Sequence, residues 1–306
     1  MWTAEDDSLF LKYCPNPRDR SYHAMSRDSA ARPHELLKLR IKDVVFKLTP
    51  DNYGKKQYAE ILVNGKTGTR HIPLIHSIPY IKDWITNHHP KAGNPNSILL
   101  CGLGKSVNRV INVESLNKIY RDYKREFFPK LLNNPNVPPE DKQKIRQLLQ
   151  KPWNPYTFRH SSLTQKSTIL KGGHTLRQFA GWSPSSNMHL KYLHYFGNES
   201  NDSILEAYGI ATKGKQLSDI LKPKQCPNCN EANKPDSRFC AKCTMVLTYD
   251  AYNETVEEKQ QKDKDLQSVK EPMTSIESVL VAIQPLLQNL KPEMLGKLQL
   301  VGITNE

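Results

Sequence analysis

Residues 226–243 read CPNCNEANKPDSRFCAKC, and their four cysteines constrain the fold more than any other feature of the chain. Cys226, Cys229, Cys240 and Cys243 form two Cys-x-x-Cys pairs separated by ten residues. Each pair presents two thiolates from one tight turn, and two such turns close a tetrahedral site around a zinc ion. A redox dithiol needs one pair at a helix N-terminus, not two matched pairs. Protein sulfur fills all four positions, so none stays open for a reacting water and the ion is expected to be structural. The remaining cysteines, Cys14 and Cys101, stand alone. Clustering of this kind without a secretory leader at MWTAEDDSLF points to metal rather than disulfides, and to a cytoplasmic address.

Charge is divided unevenly along the chain. The net charge is +13, yet residues 226–306 carry 9 basic against 12 acidic side chains, whereas residues 1–225 carry 35 against 19. The first part is therefore an electrostatic partner for a polyanion, with nucleic acid the commonest candidate. No stretch approaches the roughly 20 apolar residues of a membrane span.

In the basic part, TAEDDSLFLKYC predicts a first helix capped by Thr3. DSAARPHELLKLRIKDV predicts a second, with Pro33 in its first turn, Leu36, Leu37, Leu39 and Ile41 on its apolar side, and Arg32 at its positive end. DVVFKL, YAEILV and RHIPLI predict a three-stranded antiparallel sheet, with Lys66 at the tip of a glycine-bearing turn over residues 64–69. From about residue 77 the pattern is mostly helical; TFRHSSLTQKSTIL reads as one helix and LRQFAG ends another at Gly181. NMHLKYLHYFG, residues 187–197, carries Tyr192 and Tyr195 without a clear apolar rhythm.

Composition changes after residue 215. The cysteine module resembles a zinc ribbon, a fold used for DNA contact, protein contact or stapling. YNETVEEKQQKDKDLQSVKEP reads as a charged linker or solvated helix, and SIESVLVAIQPLLQNLKPEMLGKLQL regains helical periodicity broken at Pro285 and Pro292. The expected organisation is an α+β, mostly helical domain over residues 1–215, a zinc module over 222–248 and a helical tail over 249–306.

Five local stretches of the basic part, taken in order, resemble the tyrosine recombinase/integrase family, and more closely its archaeal members. ARPHELLKLRIKD resembles the first box of its catalytic domain, KTGTRHIPL its β-hairpin, YTFRHSSLT its second box, AGWSPSS its third, and MHLKYLHY the segment of its nucleophile. The resemblance covers about residues 2–210. It implies Arg32, Lys66, Arg159, Trp182 and Tyr192 as catalytic residues, with Glu35, Tyr156 and His160 in support. Tyr192, ten residues beyond Trp182 and two before His194, fits the family spacing better than Tyr195.

The implied activity is site-specific recombination of double-stranded DNA through a 3′-phosphotyrosyl link, without a catalytic metal or ATP. A phenolic oxygen attacking a phosphodiester adds a second negative charge at phosphorus, which two planar arginine forks can neutralise. An indole N–H adds a donor, and a lysine on a flexible stem can protonate the departing 5′ oxygen. Self-association on DNA, from dimer to tetramer, belongs to the same resemblance. Type IB topoisomerases share this chemistry, and a non-catalytic DNA-binding regulator is the alternative from another class.

Two departures stand out. Where the second box usually begins with histidine, this chain has Tyr156, which cannot accept a proton as a neutral imidazole can, so the base for Tyr192 is open between His160, His189 and His194. The second is that the sequence begins at the first helix of the catalytic domain, where the family usually carries an N-terminal helical clamp ahead of it; the expectation is either a fragment or a partner surface supplied from elsewhere, such as the zinc module. A catalytic half without that clamp is expected to bind DNA weakly and with steep salt dependence.

Overall fold

The computed structural model describes residues 1–49, 56–65, 68–107, 109–170, 172–193 and 219–288. The chain divides into two compact units, Met1–Met245 and Val246–Glu306. The first is α+β and mostly helical, with one small three-stranded antiparallel sheet.

Helix α1 (Ala4–Tyr13) begins where its cap predicts. The Thr3 hydroxyl accepts the Asp6 N–H at 3.3 Å, and the Asp6 carboxylate accepts the Thr3 N–H at 2.7 Å. Helix α2 (Pro17–Ser29), PRDRSYHAMSRDS, has no apolar stripe to announce it. Polar contacts hold it instead: Arg27 Nε and His23 Nε2 donate to buried Asp7 at 2.6 and 3.0 Å. At its far end, Asp28 accepts the N–H groups of Ile75, His76 and Ser77 at 2.6, 2.8 and 3.1 Å. Three backbone donors and the Ser77 hydroxyl on one buried carboxylate fix the end of α2 against the chain leaving the sheet.

The helix expected after Arg32 is only one turn, α3 (Pro33–Leu36). Leu36, Leu37 and Leu39 are buried as the apolar side predicts, but Leu39 C=O accepts the Leu99 N–H at 2.8 Å, and this non-local pairing takes the chain out of the helix. The sheet follows as β1 (Val44–Leu48), β2 (Gln57–Gly65) and β3 (Gly68–Leu74), in that order and antiparallel. Its register aligns Val44, Ile61 and Ile72, then Phe46, Ala59 and Leu74. Ala59, Ile61, Ile72 and Leu74 on that face are wholly buried. Gly65 pairs with Gly68 at the hairpin end, and Lys66 lies outside the described residues.

Helices α4 (Ile78–Asp83), α5 (Val113–Asp122), α6 (Phe128–Leu131) and α7 (Pro139–Gln150) close the core. Its centre is aromatic: Trp2 meets Phe158 at 4.7 Å between centroids, Tyr120 meets Phe158 at 4.6 Å, and Phe128 meets Trp153 at 4.9 Å. Helix α8 (Pro155–Ser167) supplies Phe158 to this core and the next two residues to the site. It is followed by α9 (Gly173–Ala180) and the short α10 (Leu190–Leu193).

The cysteine module belongs to the same compact unit. Its two short strands, β4 (Lys224–Gln225) and β5 (Ala232–Asn233), pair antiparallel. Glu231 is ion-paired to Lys82 of α4 and accepts from Gln57 Nε2 at 3.2 Å, while Lys234 reaches Asp83 at 2.6 Å.

In the second unit, Tyr249–Gln288 forms one helix, α11, of 40 residues. The break expected at Pro285 is absent, since the helix passes through that residue to Gln288. A proline removes one backbone hydrogen bond and crowds one carbonyl, which bends a helix without having to end it. Pro292 lies outside the described residues. Among the described residues, no helix is long and apolar enough to cross a membrane.

Candidate active site

The site is built on two backbone turns. Helix α2 ends at Ala30, whose φ of 49° is left-handed, and α9 ends at Gly181, with φ 65°. Both turns aim carbonyl groups at arginines. Arg159, one turn into α8, donates through Nη1 to Ala30 C=O and through Nη2 to Ala180 C=O, the latter at 2.8 Å. Burial, and then the Arg32 charge, push its pKa down to about 10, which leaves it cationic at neutral pH.

Arg32 caps α3 and donates to Glu35 at 3.0 Å and to Gly181 C=O at 3.1 Å. Arg70, on β3, holds the same Glu35 with both Nη nitrogens, at 3.1 and 2.8 Å, and donates through Nε to Phe179 C=O at 3.2 Å. Burial alone would raise the Glu35 pKa, but the bonds from Arg70 and from the Arg32 backbone and side chain overcome it and hold the carboxyl at about 2. A buried carboxylate thus ties two arginines from separate elements to one turn.

The same turn supplies Trp182. Its indole stacks on the Tyr192 ring, centroids 5.6 Å apart and planes at 23°, and the His160 ring lies near-parallel to Tyr192 at 6.2 Å. Tyr192 Oη is 2.6 Å from His160 Nδ1. Tyr192 packs on Ala30, Leu163, Leu176 and Ala180 in a small apolar cluster. Burial raises the Tyr192 pKa against the opposing pull of Arg159, so the hydroxyl keeps its proton at neutral pH. His160 is exposed, and desolvation with the charges of Arg159 and Lys191 lowers its pKa, so its ring is neutral there.

Of the residues expected from the sequence, Arg32, Glu35, Arg159, His160, Trp182 and Tyr192 gather around these two turns. Tyr156 is 45% exposed in the first turn of α8. His189 Nδ1 is 3.0 Å from Ser186 C=O in its own loop. Lys66, His194 and Tyr195 lie outside the described residues. Sequence reasoning missed Arg70, although it stands four residues after Lys66 in the quoted KTGTRHIPL. The signal available was an arginine facing inward: its strand position lies opposite buried Val63.

The ligand atoms of Cys226, Cys229, Cys240 and Cys243 all lie within 4.8 Å of one another, with Cys226–Cys243 and Cys229–Cys240 Sγ pairs at 3.6 Å. A tetrahedral ion with metal–sulfur bonds of about 2.3 Å sets its sulfurs about 3.8 Å apart, so this cluster can hold a metal. The Lys242 N–H and Asn233 Nδ2 donate to Cys240 Sγ at 3.5 and 3.7 Å, as donors around a bound thiolate do.

No family model matches the chain, and no curated protein matches it. Similar solved structures include the site-specific recombinase XerH bound to a palindromic difH substrate, at 17% identity and a TM-score of 0.43 over 68% of this chain and 53% of that one. The structures to which this chain is similar are those of tyrosine recombinases and integrases. XerA recombinase aligns at 12% identity and a TM-score of 0.43, over 68% of this chain and 62% of its own. The Tn1549 transposon integrase in complex with circular intermediate DNA aligns at 14% and 0.43, over 68% of this chain and 66% of that one. The chain therefore spans about half the length of XerH.

Proposed function

We propose that this chain cleaves and rejoins double-stranded DNA as a tyrosine recombinase, with Tyr192 as the nucleophile. The observation that carries this reading is the convergence on the Ala180–Trp182 turn: Arg159 and Arg32 bind its carbonyls, and Trp182 stacks on Tyr192. A pair of converging arginines of this kind suits a phosphodiester, whose charge increases during attack. Arg159 and Arg32 stabilise the non-bridging oxygens, and the Trp182 indole adds a donor. Tyr192 Oη bonds to phosphorus as the bond from phosphorus to the 5′ oxygen breaks. Lys66, placed at the hairpin tip by the sequence resemblance, protonates that oxygen. The strand keeps its bond energy in a 3′-phosphotyrosyl ester, so rejoining needs no ATP. Exchange between two sites further calls for self-association on DNA, and zinc in the four-cysteine cluster acts as a structural ion.

The test is a denaturation-resistant adduct on nicked suicide duplexes. Wild type and Tyr195→Phe are expected to form one, and Tyr192→Phe to form none. An adduct that survives in Tyr192→Phe and vanishes in Tyr195→Phe reassigns the nucleophile. Failure of wild type on a duplex pool with randomised sequence removes the catalytic reading.

A further inference from the structure

We propose that His160 Nδ1 takes the proton of the Tyr192 hydroxyl during strand cleavage, in place of the histidine whose position is held by Tyr156. The inference rests on Tyr192 being the nucleophile. A proton acceptor must first stand within hydrogen-bond reach, and Tyr192 Oη is 2.6 Å from His160 Nδ1. His189 is engaged with Ser186 C=O in its own loop. Tyr156 offers a phenol, which cannot accept a proton as a neutral imidazole can.

The surroundings set the direction of transfer. The charged and titratable groups around His160 are Arg159 on its own helix and Lys191 and Tyr192 on α10. Partial desolvation and the two cations disfavour imidazolium, so the resting ring is neutral, and a hydrogen bond donated by Tyr192 Oη places its proton on Nε2 and leaves Nδ1 to accept. The two rings are near-parallel at 20°, and exposure of His160 lets the imidazolium pass its proton to solvent afterwards. In balance, the Oη–H proton moves to Nδ1, the Oη–P bond forms, and the 5′ oxygen leaves with a proton from the acid.

The experiment measures single-turnover adduct formation on a randomised-sequence suicide duplex, with either an ordinary 5′ oxygen or a 5′-bridging sulfur that leaves without an acid. His160→Ala is expected to slow cleavage on the order of 100-fold on both substrates. His160→Gln, which keeps a hydrogen bond but cannot take up a proton, is expected to be as slow, and added imidazole to restore part of the His160→Ala rate. The wild-type rate should climb with pH through the imidazole ionisation, and this step should disappear in both variants. Adduct formation by His160→Gln at the wild-type rate, with the same pH profile, overturns the assignment while leaving Tyr192 as nucleophile. Absence of any wild-type adduct overturns both.

Discussion

Both Nη nitrogens of Arg70 meet the two carboxylate oxygens of Glu35, at 3.1 and 2.8 Å, and the Glu35 side chain is wholly buried. Because a buried charge that loses its partner keeps its desolvation cost, Arg70→Met is expected to lower unfolding free energy by about 3–5 kcal/mol. Arg70→Lys keeps the charge without the fork and should recover only part of it. Urea denaturation of the three proteins decides this. Equal stability of Arg70→Met and wild type would mean that Arg32 alone satisfies Glu35.

The same carboxylate predicts a pH dependence. Its folded pKa of about 2 lies below the ordinary 4.5, so between those values the unfolded chain binds the extra proton. The stability it contributes is complete above pH 4.5 and is lost as pH falls toward 2. His23, fully buried, acts higher: burial lowers its pKa despite the Asp7 hydrogen bond, so stability also declines as pH drops below 6.5. Urea midpoints taken from pH 7 down to 3 should fall in both windows, and Glu35→Gln should flatten only the lower one.

How far the sequence could be read follows from where the information sits. The strands were legible because β-rich runs alternate around a glycine turn, and the register places Ile61 and Ile72 on the buried face as that alternation requires. The cysteine spacing was legible because metal geometry acts over a few residues. Helix α2 was not, since its contacts with Asp7 and with the backbone of Ile75–Ser77 join polar residues distant in sequence. The helix after Arg32 was over-extended for a related reason: Leu36, Leu37 and Leu39 suit a helix face as well as the buried turn they occupy. At the site, resemblance pointed to Arg32, Arg159 and Tyr192, but no local pattern shows that Glu35 is shared with Arg70 or that His160 meets Tyr192.

Gly181 should tolerate no side chain. Its φ of 65° is left-handed, and a Cβ there would stand 2.5 Å from Arg70 Nη1 and 2.7 Å from Cζ. The guanidinium cannot swing aside cheaply, because Glu35 and Phe179 C=O hold it. Gly181→Ala is expected to cost at least the 1–2 kcal/mol of left-handed backbone and to slow adduct formation by moving the carbonyl that binds Arg32. Asn accepts this backbone more readily than Ala, yet has the same Cβ. If Gly181→Asn is as stable as wild type by urea denaturation, the contact with Arg70 carries no cost.

Metal removal should reach beyond the cysteine module. Glu231, Ala232 and Lys234 lie between the two Cys-x-x-Cys turns and contact β2 and α4: Ala232 N–H donates to Gln57 Oε1 at 3.2 Å, Glu231 pairs with Lys82, and Lys234 with Asp83. An ion that fixes both turns therefore fixes the segment between them, and its loss removes the contacts of Glu231 and Ala232 with Gln57 at the start of β2, leaving Gln57 its bond from Lys82. Native mass spectrometry should find one zinc per chain, lost on Cys240→Ser or with a strong chelator. Hydrogen exchange in the stripped protein should rise at Gln57–Ala59 and in α4, and Glu231→Gln with zinc bound should reproduce part of that rise. Faster exchange confined to residues 224–245 would show that the module folds around its metal without bracing the sheet.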